Sequence, residues 1–246
     1  MSITTSEELA GMQAAGKVAR QVLEAMKREV RPGITTAELD TIGNRVMQEN
    51  GAQSAPAMVY RFPGGSCISV NDEVVHGIPR DRTLKEGDLV KLDVTVEKNG
   101  FMADTATTVA VGAISAELQK LVRCVERAFA EAMLVARAGF RVFEIGRVVE
   151  RVVRRDGFSV VRDLCGHGIG RTIHESPQVP NYLDPRARSL LTEGLVITVE
   201  PIIAAGTGRQ FLDEDGWTVR TADATFAAHH EHTIMVTKGI PILLTA

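Results

Sequence analysis

Four carboxylates and one imidazole stand beside strongly apolar, strand-like segments. Asp93 lies in "KLDVTV", Asp104 in "FMADTATTV", Glu200 ends "GLVITVE", Glu231 opens "EHTIMV", and His167 sits between glycines in "LCGHGIG". Aspartate is depleted in strands, and an ionised carboxylate is costly to bury unpaired. Two of these groups can be placed from turn geometry alone. Asn99-Gly100 is a two-residue hairpin signal between alternating arms. A turn there sets Lys98 opposite Phe101, Val96 opposite Ala103 and Thr95 opposite Asp104. Asp93 shares a face with Thr95, so Asp93 and Asp104 are expected as diagonal neighbours with Cβ atoms roughly 7 Å apart. The bland alternative is two exposed aspartates on a solvated face. It weakens because Glu200, Glu231 and His167 share the same kind of setting, with glycines around His167 that allow a ligand to approach closely. Without a cation, neighbouring like charges would raise at least one carboxyl pKa. Two divalent cations balance four carboxylates, which points to a two-metal centre of mainly oxygen ligands, carboxylate-bridged, with one imidazole. Mn, Fe, Co or Zn suit that donor set better than Mg.

The elements that must position these groups occur twice. "PGITTAELDTIGNRVMQENG" (Pro32–Gly51) resembles "AGFRVFEIGRVVERVVRRDG" (Ala138–Gly157), and "LKEGDLVKLD" (Leu84–Asp93) resembles "LTEGLVITVE" (Leu191–Glu200). Gly33 and Gly139, Gly51 and Gly157, and then Asp93 and Glu200 correspond at a nearly constant shift, as expected of an internal repeat. Thr5 and Thr35, each with Glu three residues on, predict helix starts. Helices are expected to about Val30, over Thr35–Gly51, from Ser115 to before Gly139, and over Val142–Gly157. Strands are expected at Cys67–Asn71, Asp88–Val96, Phe101–Val111, Phe158–Leu164, Leu195–Ala204, Trp217–Thr221 and Glu231–Val236. The result is an α+β chain of two pseudo-symmetric halves, roughly 1–110 and 111–246, forming one catalytic domain over 1–246. Helices cover one face of a largely antiparallel sheet.

Bulk properties remove other classes. The 246 residues are 44% hydrophobic and 24% charged, and the net charge of −3 gives no general attraction to nucleic acid or anionic membranes. No apolar run approaches the ~20 residues of a membrane span, and no signal peptide is evident at the N-terminus. Cys67, Cys124 and Cys165 are few and scattered, which fits a reducing compartment. "GHGIGR" lacks the strand-to-helix context and later acidic residue of a phosphate loop. "RVVERVVRR" reads as a solvated helix face. Cys124 is expected in the core, and His229 and His230 are expected to be structural or exposed.

The order Asp93, Asp104, His167, Glu200, Glu231, set in "HGIP", "GHGIG", "HESPQV", "VEP" and "EHT", resembles the type I methionine aminopeptidases over nearly the whole chain. The resemblance implies the pita-bread fold and removal of the initiator methionine from new chains whose second residue is small. It implies that the five positions hold two divalent ions, with those of Asp104 and Glu231 bridging. A water between two cations becomes hydroxide near neutral pH and attacks the scissile carbonyl. A free α-amine bound to one ion accounts for exopeptidase action. By the same resemblance His76 contacts substrate near the scissile amide, His174 hydrogen-bonds the carbonyl oxygen or tetrahedral intermediate, and Glu200 shuttles a proton to the leaving amine. Phe62, Cys67 and Trp217 match positions of the methionine side-chain pocket. The implied partners are N-termini of nascent polypeptides near the ribosome, met by a cytoplasmic monomer.

The chain departs from the family around that pocket. Val59 stands at a usual Tyr, Tyr60-Arg61 replace His-Gly, Ile173 stands where Phe is common, and Val75 where Cys often precedes the histidine. Xaa-Pro peptidases share the fold and metal set but usually carry a substantial extra N-terminal domain, whereas this chain begins almost at the catalytic helices. Non-catalytic binding proteins of the fold tend to lose ligands, and all five are present here. The large helical insertion of the type II subfamily has no room between His167 and Glu231.

Overall fold

The polypeptide, described over residues 1–246 by a computed structural model, begins with two capped helices. In α1 (Ser6–Glu29) the Thr5 hydroxyl accepts the Glu8 N–H while the Glu8 carboxylate accepts the Thr5 N–H; α2 (Thr36–Glu49) repeats the device with Thr35 and Glu38. Both follow from the Thr-x-x-Glu spacing. A short helix, α3 (Ala55–Tyr60), is capped by Ser54 and ends at Arg61 in the left-handed region, φ 59°. The second half opens with α4 (Ala116–Met133), capped by Ser115, and α5 (Val142–Arg155). α5 buries Val142, Ile145, Val149 and Val152 and turns Arg151 and Arg154 outward onto Glu131 and Glu150, so its basic run is a solvated face.

Nine strands form the central antiparallel sheet. Its main path runs Gln53–Ser54, Leu89–Lys98, Phe101–Ala110, Glu231–Met235, Val196–Val199, Cys165–Gly168 and Glu175–Pro180. Cys67–Val70 also pairs with Leu89–Lys98, and Ile242–Leu243 with Glu231–Met235. Alternation divides each strand between two faces. Leu92, Val94 and Val96 pack with Val18, Val22 and Met26 of α1 in one core. Ile197, Val199 and Ile234 pack with Val125, Phe129 and Val149 of α4 and α5 in another, which also takes Cys124. The sheet's other face is left to the polar residues between them.

The bonding of the first half recurs in the second. Gly33 N–H donates to Leu84 O and Gly139 N–H to Leu191 O, both at 2.9 Å; Leu84 N–H returns to Ile34 O and Leu191 N–H to Phe140 O, both at 2.8 Å. Gly33 (φ 94°) and Gly139 (φ 91°) occupy a conformation that costs other residues strain. These are the glycines that align in the sequence.

The expected helices form within a few residues of their predicted ends. The strands differ more. The Leu195–Ala204 strand is broken after Val199, because Pro201 has no N–H for the ladder. Only Ser159–Val160 of the expected Phe158–Leu164 strand pairs, and Cys165–Gly168 follows it. Glu175–Pro180 was not expected as a strand, since it contains Pro177 and Pro180; it lies at the sheet edge, where proline is tolerated. No helix is long and apolar enough to cross a membrane.

Candidate metal centre

Strand register brings the acidic residues together. Thr95 faces Asp104 and Lys98 faces Phe101, the pairing expected from the Asn99-Gly100 turn. Ala106 then has Asp93 opposite it on one side and Glu231 opposite it on the other. Directly opposed residues share a face, as do residues two apart, so Asp93, Asp104 and Glu231 all project from one side of the sheet. Glu200 arrives from the next strand: His232 faces Val199, which leaves Glu200 level with Glu231. The Thr198 hydroxyl donates to Glu200 Oε2 at 2.5 Å and accepts the His167 N–H at 2.9 Å, tying the last two residues together.

The glycines around His167 are required by close backbone contact. A Cβ on Gly168 would come within 2.2 Å of Ser176 O, and one on Gly166 within 2.6 Å of Thr198 O. His167 Nδ1 lies 2.9 Å from Gly168 O. A carbonyl only accepts, so the ring proton is on Nδ1 and Nε2 keeps a bare lone pair. Donor atoms of Asp104, His167 and Glu231 lie within 4.8 Å of one another, and His167 Nε2 is 3.6 Å from Glu200 Oε2.

Electrostatics explain what such a cluster needs. Asp104, His167, Glu200 and Glu231 are buried and Asp93 is half-buried. Desolvation, then the neighbouring carboxylates, holds the Asp93 and Glu231 carboxyls well above the ordinary range, and burial pushes Glu200 up to about 8. Asp104 is raised by burial as well, and burial lowers His167. Asp104 Oδ1 and Glu231 Oε1 are buried with no hydrogen-bond partner. Orphaned acceptors beside a neutral imidazole lone pair form a donor set that fits divalent cations.

A cavity of about 550 Å³ opens over these five residues. His76 enters from the Glu73–Val75 strand with φ 58°, a strained conformation of the kind that collects at functional sites. His174 stands on the other side, its ring 4.3 Å from that of His167. Phe62 and Trp217 meet edge to face at 5.3 Å and, with Cys67 and Ile173, line an apolar wall.

The sequence profile of metallopeptidase family M24 matches residues 10–238. The chain belongs to metallopeptidase family M24. Methionine aminopeptidase 2 of Bacillus subtilis is 44% identical to it over 247 residues, covering 100% of this chain and 99% of that protein. The crystal structure of methionine aminopeptidase from Rickettsia prowazekii has a TM-score of 0.96 at 37% identity over 100% of both chains. Prolidase from Pyrococcus furiosus shares the pita-bread fold, with a TM-score of 0.81 at 23% identity over 99% of this chain and 65% of the prolidase.

The cavity of this M24 chain also holds residues that the sequence reading did not place in it. His229, expected to be structural or exposed, is buried and lines the cavity with Nε2 3.4 Å from Glu231 Oε2, and neither ring nitrogen has a partner. Its burial follows from the pairing of Ala227–His229 with Ile202–Ala204, strands too short for a clear alternation signal. His230 is half-buried against Phe129. Of the residues that depart from the family pattern, Tyr60, Ile173 and Val75 line the cavity, whereas Val59 and Arg61 do not and are exposed. Cys165, Gln178 and Ile202 also line it, and nothing in their spacing marked them.

Proposed function

We propose that the chain removes the N-terminal methionine from polypeptides whose second residue is small, with Asp93, Asp104, His167, Glu200 and Glu231 holding two divalent ions. The observation that carries this reading is the pair of buried, partnerless acceptors on Asp104 and Glu231, facing the bare Nε2 of His167 in a cavity with an apolar wall. Asp104 and Glu231 come from the neighbouring strands at the junction of the two halves, from which both would hold the ions. When bound, the ions supply Lewis acidity for hydrolysis at the scissile carbonyl. The protein's own groups do the rest. His76 and His174 donate hydrogen bonds to the substrate amide and carbonyl oxygen, where negative charge develops. Glu200, held by Thr198, takes a proton from the attacking water and returns it to the leaving amine. Phe62, Cys67, Ile173 and Trp217 receive the thioether side chain.

The setting we assign is cytoplasmic, with a monomer acting on nascent chains near the ribosome. The chain reconstituted in turn with Co, Mn, Fe and Zn is expected to cleave Met-Ala-Ser and Met-Gly peptides and to spare Ala-Pro peptides. Preference for Ala-Pro, or silence on Met-Ala-Ser with every metal, would sink the assignment. Initiator processing of a reporter carrying a small second residue, in cells depleted of other such activity, tests the setting.

A further inference from the structure

Two imidazoles stand side by side in the cavity, and each has a different partner on Nδ1. His167 Nδ1 faces the Gly168 carbonyl at 2.9 Å. His174 Nδ1 lies 2.6 Å from the hydroxyl of Tyr60, the last residue of α3, with the rings 5.6 Å apart and 31° from parallel. The first partner can only accept. The second is a phenol, neutral at working pH with an ordinary pKa of about 10, and it can donate as well as accept. No other side chain bonds the His174 ring, and Thr172 engages only its carbonyl.

A neutral imidazole has one N–H and one lone pair, and the partner on one nitrogen dictates what the other presents. A phenol donating to His174 Nδ1 leaves the proton on Nε2. The neighbouring rings are then held in opposite tautomers: His167 offers a lone pair to a cation, and His174 offers an N–H to an oxygen. We propose that Tyr60 is the positioning residue that fixes His174 as its Nε2–H tautomer and so makes it a hydrogen-bond donor to the substrate carbonyl. This rests on the peptidase reading above.

The placement of Tyr60 is built into the local chain. Ser54 caps α3, and Pro56 sits in its first turn. The helix stops at Arg61, whose N–H donates to Ala57 O, and Phe62 N–H donates to Pro56 O. Tyr60 therefore hangs at the cavity mouth while Phe62, two residues on, turns into the apolar wall. Tyr60 is 43% exposed, so loss of its hydroxyl is expected to cost the fold little.

The test uses the full chain loaded with zinc and labelled with ¹⁵N-histidine. Long-range ¹H–¹⁵N spectra of the wild type are expected to show His174 with a protonated Nε2 and an unprotonated Nδ1, and Tyr60→Phe is expected to mix the two tautomers. With the loss of one aligned donor, kcat on Met-Ala-Ser should fall about tenfold with KM little changed, and unfolding temperature should not move. In a His174→Ala background Tyr60→Phe should cost nothing further. A wild-type His174 protonated on Nδ1, or a Tyr60→Phe chain with unaltered kcat, overturns the proposal. Failure of the peptidase reading would be seen separately, as a wild type inactive on Met-Ala-Ser while the tautomer remains measurable.

Discussion

At the scale of single residues the candidate centre is a place where protons would compete with the proposed cations. Without ions, Glu200 titrates at about 8 against an ordinary value of 4.5, and Asp93 and Glu231 are raised too. A folded-state pKa raised above the unfolded one means that stability is present below about 4.5 and is lost as pH rises through about 8. The metal-free chain is therefore expected to lose stability across that window, and metal to restore it. Metal uptake near pH 7 should release protons, because the ligands must be deprotonated. Titration calorimetry in buffers of different ionisation heat checks this, and identical apparent enthalpies would count against it. Asp104→Asn removes a buried carboxylate whose Oδ1 has no partner. It should lower activity on the order of 100-fold or more while raising the unfolding temperature of the metal-free chain, since an uncompensated buried charge is gone. A variant that keeps most of its activity would refute the bridging role. Asp93 and Asp104 were legible in the sequence because a two-residue turn fixes register. The burial of His229 was not, because it comes from strands too short to show alternation, and the bond from Tyr60 to His174 was not, because the two stand 114 positions apart.

At the scale of elements, one arginine holds the wall that carries His76 and Trp217. Strand Val219–Thr221 pairs with Glu73–Val75, the segment leading into His76. Arg220 crosses that pair, donating to Asp72 at 2.7 Å, to Asp213 at 2.6 Å and to Glu73 at 2.9 Å; Glu73 is also bound by Arg82. Removing the guanidinium leaves the buried Glu73 with Arg82 as its one remaining ion pair and takes the arginine from two half-buried aspartates. Arg220→Met is expected to cost about 2–3 kcal/mol, below the roughly 3–5 kcal/mol of a fully buried broken pair because Arg220 is partly exposed. It should also raise KM for Met-Ala-Ser through Trp217, which is proposed to bind side chain, and lower kcat through His76, which is proposed to act at the scissile amide. Denaturant midpoints and steady-state kinetics read the two effects, and unchanged KM would separate this wall from the substrate. Four of the five helices were legible to within a few residues because caps and periodicity are local signals, whereas the six-residue α3 is too short for a periodic pattern and was not expected. This wall was only partly legible. Val219–Thr221 falls inside the expected Trp217–Thr221 strand, but Arg220 gave no hint that it would collect three carboxylates, two of them nearly 150 residues away.

At the scale of the whole molecule, the central sheet joins the two halves along a seam with little backbone pairing. Phe101–Ala110 and Glu231–Met235 are in register only at Ala106 with Glu231 and Thr105 with His232. Threonine hydroxyls supply much of the remainder. Asp104 N–H donates to Thr233 Oγ1, which donates back to Asp104 O, both at 2.8 Å. Thr105 Oγ1 donates to Glu231 O at 2.9 Å, and Thr108 Oγ1 joins His229 O at 2.8 Å. The proposed ligands Asp104 and Glu231 lie on opposite sides of this line, so ions between them would staple the halves together. The repeat made the two halves legible in the sequence, but it could not show how they are joined, because the matched segments stop short of the seam. Chelation is expected to lower the unfolding free energy by about 2.7 kcal/mol relative to a chain held at one hundred times the metal's Kd. Hydrogen exchange should quicken first at Phe101–Ala110 and Glu231–Met235, while the α1 and α5 amides, bonded within their own helices, keep their protection. Exchange that quickens uniformly, or only at helix ends, would mean that the ions add to the global stability without acting across the seam.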